Sequence, residues 1–125
     1  MGIGHNGHIV FNEPGSSFQS KTRKLKLSQA TRKVNSKFFK AFRKIPKFAF
    51  TMGIKTIMNS KKIILLVFGK DKADIISKTI NGKITKEVPA SILKKHKDVI
   101  FIIDEKAAGK LKIGDYTEIP YKTTT

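Results

Sequence analysis

The sequence predicts a single α/β domain built around a parallel sheet, and three observations lead there. Ile63-Ile64-Leu65-Leu66-Val67-Phe68 is a continuous apolar run of strand length, and Val99 to Ile103 is a second. Between them, Asp71 to Ile80 sets Ala73, Ile76 and Ile80 along one side of a helix. Strand, helix and strand in that order make a crossover unit, which joins parallel strands. Continuous rather than alternating apolar strands suggest burial on both faces, with helices on either side. A chain of 125 residues with 39% apolar content has room for one such domain.

The remaining elements follow in order. Gly2 to Ser17 is rich in Gly, His, Asn and Pro and reads as a loop, broken by a short extended piece at His8 to Phe11. Ser28 is placed to cap a helix over Ser28 to Phe42, in which Ala30, Val34, Phe38 and Phe42 recur every four residues. Pro46 closes that element. Phe48 to Met52 is a short apolar run, followed by Gly53 and a weakly helical Ile54 to Asn59. After the first strand Gly69 turns the chain into the Asp71 helix, and Asn81-Gly82 stops it, since both residues accept the left-handed conformation. Pro89 to His96 reads as a short helix with proline in its first turn. Glu105 to Leu111 looks helical, and Lys112 to Thr125 is a polar tail.

Charge is strong and uneven. The formal net charge is +17, from 26 Lys and Arg against 9 Asp and Glu. Residues 1–70 carry 15 of the cations and a single acid, Glu13, while Lys21 to Lys47 holds eleven cations with Phe38, Phe39 and Phe42 interleaved. Clustered cations with aromatic rings fit a patch for nucleic acid or an anionic surface. Against that stand 23 Lys to 3 Arg and 17 Ile to 6 Leu, the mark of codon bias in an AT-rich genome. Arginine is the residue that reads guanine with two bonds, and it is scarce here. The excess therefore reads first as solvated surface lysine. The absence of cysteine excludes a disulfide framework, a zinc ribbon and a thiol nucleophile. The start has neither basic n-region nor apolar h-region, and the longest apolar run is strand-sized, so the expectation is a cytoplasmic chain without a membrane span.

Chemistry concentrates in the opening loop. Three glycines at positions 2, 4 and 7 let the backbone approach a ligand closely. His8 and Glu13 make an acid/base pair in reach of neutral pH. His5, His8 and Glu13 are alternatively a metal-ligand set, though at no strong zinc spacing. An ordinary polar loop is the third reading. Gly2-x-Gly4 is too short for a dinucleotide fingerprint.

The run Gly2-Ile3-Gly4-His5-Asn6-Gly7-His8-Ile9-Val10-Phe11-Asn12-Glu13-Pro14-Gly15-Ser16-Ser17 resembles the signature of the glucosamine-6-phosphate deaminases (isomerases). The likeness continues through Ser20 to Arg23, Thr31-Arg32, Asn35-Ser36, Phe38-Phe39, Pro46-Lys47, Leu66-Val67-x-Gly69-x-x-Lys72-Ala73 and Pro89 to Leu93. The related 6-phosphogluconolactonases share the glycine-histidine core without the Phe11-Asn12-Glu13-Pro14 continuation. The resemblance implies a Rossmann-like parallel sheet flanked by helices, here partial and incomplete relative to the family domain. It divides the chain into an active-site loop (1–20), an α/β body (21–111) and a polar tail (112–125).

The same resemblance assigns roles. His8 matches the histidine that opens the substrate's pyranose ring, Asn6 the residue that orients it, and Glu13 the carboxylate completing the relay. Lys72 matches a lysine for the substrate phosphate. Lys37 stands where the family has an arginine for that phosphate, a point charge in place of a fork. Arg23 matches an arginine of the allosteric site in oligomeric members. Lys55 replaces a family glycine and is expected to crowd its turn. The implied partner is a small sugar phosphate, with no organic cofactor and no metal; an oligomer is left open. The family's phosphate loop and its C2-to-C1 proton-transfer aspartate have no match here. The chain therefore reads as the carboxyl-terminal half of the family domain, either from a truncated or split gene, in which case a complementary amino-terminal half is a candidate partner, or as part of a longer product. Alone it is expected to fold poorly and to lack deaminase activity. A different class of function stays beside this one, a non-catalytic lysine-rich protein binding nucleic acid or anionic surfaces through residues 21–47.

Overall fold

The computed structural model describes residues 1–41 and 44–119. Phe42, the last apolar position of the expected first helix, lies outside the described residues. Two small sheets organise the chain. In the first, β1 (Arg23–Lys26) pairs antiparallel with β2 (Phe48–Thr51), with Lys24 opposite Phe50 and Lys26 opposite Phe48. In the second, β3 (Ile63–Val67) pairs parallel with β4 (Val99–Ile103), in the register Ile63 to Val99 through Val67 to Ile103. The parallel pairing and the α/β class are as the sequence predicts.

Helical elements are short. They are α1 (Gln29–Asn35), α2 (Ile54–Met58) and α3 (Ala73–Asn81), with 3₁₀ turns at Lys70–Lys72, Pro89–Lys95 and Ala107–Lys110. The expected helix over Ser28 to Phe42 thus ends as α-helix at Asn35, followed by a 3₁₀ turn at Ser36–Phe38. Ser28 does cap it, its Oγ accepting from the Thr31 amide at 3.1 Å. The early end has a local cause. Asn35 Nδ2 donates back to the Thr31 carbonyl and Ser36 Oγ to that of Lys33, bonds that compete with helix propagation. No residue of α1 is buried, and Val34 and Phe38 are 64% and 72% exposed, so their four-residue spacing marks no core stripe.

The core lies on one side of the β3–β4 sheet. Ile63, Leu65 and Val67 point into it and meet Ile54, Ile57, Ile75, Ile76 and Leu93, with Phe101 packed at the margin. Each such side chain, fully buried, contributes roughly 1.5–3 kcal/mol. The other side of the sheet corrects the expectation of burial on both faces. Ile64, Leu66, Ile100 and Ile102, with Phe68 just beyond β3, are 43–57% exposed. The apolar run is continuous in sequence, yet burial alternates along β3 because helices cover a single face among the described residues. The amino terminus borders the same sheet. Met1 donates to the Ile64 carbonyl and accepts from the Leu66 amide, both at 2.8 Å, the bond pattern of a parallel neighbour.

Two further local readings are revised. His8 to Phe11 is no extended piece but a tight reversal, with Ile9 bridged to Asn12 and Val10 at φ 53°. Lys55, expected to crowd its turn, is instead exposed on α2, and its amide donates to the Ser20 carbonyl at 2.9 Å.

Candidate functional site

Two loops meet beside the carboxyl end of β3. One is the glycine-rich opening, which leaves the sheet edge after Met1. The other is the Gly69–Lys72 segment between β3 and α3. Lys72 Nζ donates to the Ile3 carbonyl at 2.9 Å, and His5 Nε2 meets Asp71 Oδ2 at 2.5 Å, so two contacts tie the loops together. That hydrogen bond from His5 holds the exposed Asp71 carboxyl below its usual 3.8. The Gly69 amide donates to the Asp104 carboxylate at 3.0 Å, which also accepts from the Ala107 amide. Open α/β sheets bind ligands at this end of their strands.

Between the loops and α1 lies a cleft of about 550 Å³, lined among others by Asn6, His8, Thr31, Asn35 and Lys72. That volume lies within the range of small-molecule sites. The His8 ring is held in a defined state. The His8 backbone amide donates to Asn6 Oδ1 at 3.1 Å, which fixes that atom as the acceptor. His8 Nδ1, 2.7 Å from the same oxygen, must then carry the proton, leaving the Nε2 lone pair free. Burial pushes the imidazole below its ordinary 6.5; the Glu13 charge acts in the opposite sense, and Lys72 and His5 add to the lowering. A neutral ring with an open nitrogen is a general base at physiological pH. Gly4 makes this placement possible, since the ring packs where a Cβ would stand.

Glu13 stands apart from the imidazole. Its Oε1 accepts from Ser28 Oγ at 3.0 Å and from Thr31 Oγ1, and the carboxylate lines a neighbouring cleft of about 480 Å³ with Lys26, Arg32 and Lys47. It therefore acts on His8 through charge, while Thr31, which donates to Glu13, lines the His8 cleft. Lys37 does not line the His8 cleft; its Nζ sits 5.2 Å from the centre of the Phe38 ring. Arg23 Nη1 donates to Asn12 Oδ1 at 3.0 Å, and Asn12 Nδ2 donates to the Ile9 and Met52 carbonyls. Asn12 is fully buried and joins the site loop to the β1–β2 ribbon. Among the described residues, no three His, Asp or Glu side chains gather as a metal site would need. Nor is any helix long and apolar enough to cross a membrane. Ser28, Thr31, Asn12 and Asp104 support the site, a role the sequence did not assign them: Ser28 reads there only as a helix cap, and Asn12 and Thr31 only as parts of the family-like runs.

Comparison with known proteins agrees with the loop. The family model described as glucosamine-6-phosphate isomerases/6-phosphogluconolactonase matches residues 1–102. The chain belongs to this family. It is 53% identical over 111 residues to a glucosamine-6-phosphate deaminase of Lacticaseibacillus paracasei, a match covering 89% of this chain and 47% of the relative. A glucosamine-6-phosphate deaminase of Ligilactobacillus salivarius is 55% identical over 112 residues, covering 90% of this chain and 48% of the relative. Among solved structures, a monomeric glucosamine-6-phosphate deaminase superposes with a TM-score of 0.82 at 49% identity, over 87% of this chain and 45% of that one. A 6-phosphogluconolactonase from Trypanosoma brucei shares the fold, with a TM-score of 0.65 at 23% identity over 89% of this chain and 40% of that one. This family member thus spans about half the length of the curated relatives it matches.

Proposed function

We propose that the chain supplies the ring-opening and phosphate-holding part of a glucosamine-6-phosphate deaminase. The reaction takes D-glucosamine 6-phosphate and water to D-fructose 6-phosphate and ammonia. The observation that carries the reading is His8, neutral, tied at Nδ1 to Asn6 and open at Nε2, in one cleft with the Lys72 ammonium. In this reading His8 Nε2 takes the proton of the anomeric hydroxyl and returns it to the ring oxygen as the pyranose opens. A group with its pKa held below 6.5 gives up the proton readily once it has taken it. Glu13, fixed by Ser28 and Thr31, stabilises the transient imidazolium by charge. Lys72 holds the phosphate away from the reacting carbons, so its binding energy orients the sugar. Lys37 serves as the second phosphate cation once its ammonium leaves the Phe38 ring. Arg23 is an anchor for Asn12 rather than an effector site, in line with its engaged guanidinium.

Proton transfer between C2 and C1 belongs to a complementary half, so the isolated chain has little or no turnover. The test is ammonia release from glucosamine 6-phosphate by residues 1–125, alone and co-expressed with the part of the L. paracasei relative outside the match. Activity on co-expression, abolished by His8→Asn, is the expected result. Full turnover by the isolated chain, or co-expressed activity that survives His8→Asn, would overturn the assignment.

A further inference from the structure

The β1–β2 ribbon turns one face to the site loop and the other to water. On the inner side Thr51 Oγ1 accepts from the Phe11 amide, and Leu25 and Ala49 are partly buried. On the outer side Lys24 and Lys26 of β1 stand opposite Phe50 and Phe48 of β2. All four are exposed, the Phe50 ring at 76%. Lys24 Nζ lies 4.9 Å from the centre of the Phe48 ring. Among the described residues no carboxylate pairs with either lysine. Nor is one near in sequence, since fifteen Lys and Arg and no acid lie between Glu13 and Asp71. Covering this face with an uncharged surface would strand two ammonium groups, which is costly. A partner here has to bring negative charge to the lysines and flat apolar groups to the rings.

We propose that the outer face of the β1–β2 ribbon binds single-stranded nucleic acid without sequence preference. Unpaired bases stack on Phe50 and Phe48, and backbone phosphates meet Lys24 and Lys26. Aromatic rings carried on a sheet are a stacking platform for single strands, and a cationic track beside them follows the backbone. The two rings, two residues apart on one strand, stand about 6–7 Å apart, enough for one base each. A base arriving on Phe48 displaces the Lys24 ammonium, which then serves the adjoining phosphate. Lysine in place of arginine suits this partner, because a phosphate asks for charge and a base edge for a fork. A duplex hides the faces of its bases and gains only the charge. An anionic membrane fits less well, since insertion takes an amphipathic helix with a continuous apolar face. Here each ring faces a lysine across the ribbon. The surface lies across the ribbon from the site loop and asks nothing of the cleft's chemistry.

The test is fluorescence anisotropy with labelled single-stranded RNA and DNA of one mixed sequence, about twelve nucleotides long. Each is titrated with residues 1–125 over a series of salt concentrations. Phe50→Ala is expected to weaken binding about tenfold, and Phe50→Tyr to keep it. The exposure of Phe50 leaves the core untouched in both variants, which far-UV circular dichroism verifies. Lys24→Gln combined with Lys26→Gln should lower the slope of log affinity against log salt by about 1.4. Lys95→Gln combined with Lys97→Gln removes the same charge at exposed positions before β4 and leaves that slope unchanged. Absence of binding, affinity indifferent to the Phe50 ring, or equal slopes in the two lysine pairs would overturn the proposal. Duplex DNA bound as tightly as the single strand would overturn it too. So would Phe50-dependent binding to phosphatidylserine vesicles without binding to either oligonucleotide, in favour of a membrane. Ring-dependent binding of RNA alone, or of DNA alone, upholds the surface and names its ligand.

Discussion

Replacing Gly4 with alanine separates the state of His8 from the stability of the fold. A Cβ at position 4 would stand 1.9 Å from His8 Cε1, 2.1 Å from Nδ1 and 2.5 Å from Nε2. Comfortable contact between such atoms is about 3.5–4.0 Å, so the ring must retreat by roughly 2 Å. That retreat breaks the 2.7 Å bond between Nδ1 and Asn6. Losing one hydrogen bond costs about 1 kcal/mol, whereas replacing glycine at an ordinary φ returns about 0.4–1 kcal/mol through the unfolded chain. Net stability therefore changes by less than about 1 kcal/mol. The ring, released into water, loses the burial that lowers its pKa and titrates closer to 6.5. Proton NMR titration of the three histidines, assigned with His5→Gln and His96→Gln variants, reads this directly, and urea unfolding reads stability. In the co-expressed enzyme kcat falls by roughly 10²–10⁴. An unchanged His8 titration in the variant, or a stability loss of several kcal/mol, would refute the reasoning.

Asn12→Ala strips three side-chain hydrogen bonds from a fully buried position, among them the one that Arg23 donates. It should cost about 2–4 kcal/mol by urea unfolding. Ile76→Ala, in the core, should cost about 2–5 kcal/mol, but Ile102→Ala on the bare face of the isolated chain less than about 1 kcal/mol. Acid should weaken the fold through His8. Its folded pKa lies below 6.5, so the unfolded chain binds the proton first, and the stability present above 6.5 is lost as pH falls through the folded value. Thermal melts between pH 7.5 and 5 check this, and the loss should be smaller in Gly4→Ala.

The parallel sheet was legible because two apolar runs bracket a helical pattern, and that pattern depends on local residues alone. The single covered face was not. Whether Ile64 and Ile102 meet helices or water depends on what packs there, and their own side chains are identical in either case. The β1 strand escaped notice because Arg23-Lys24-Leu25-Lys26 has one apolar residue, and its pairing with Phe48 to Thr51 is long-range. The pairing of Asn6 with His8 came through the family resemblance alone; the residues by themselves suggested His8 with Glu13, and the bond from Nδ1 goes to Asn6. Glu13 was legible as a carboxylate near the site, but its partners Ser28 and Thr31 come from a helix fifteen and eighteen residues away. Lys37 shows the limit of positional matching, since a residue can occupy an expected place while its ammonium rests on a neighbouring ring.

Asp104 has a consequence for the order in which the molecule takes shape. The loop bearing Lys72 is held by a carboxylate that arrives 35 residues after Gly69 in the chain, and the Asp104 amide itself needs the Val67 carbonyl. Until β4 has docked, the Gly69 amide lacks its carboxylate acceptor, and parallel pairing over such a separation is slow to close. During synthesis Lys72 leaves the ribosome well before the carboxylate that braces its loop. The cleft is therefore among the last features to be completed, and a chain halted before Asp104 would hold the Lys72 loop only through its contacts with Ile3 and His5.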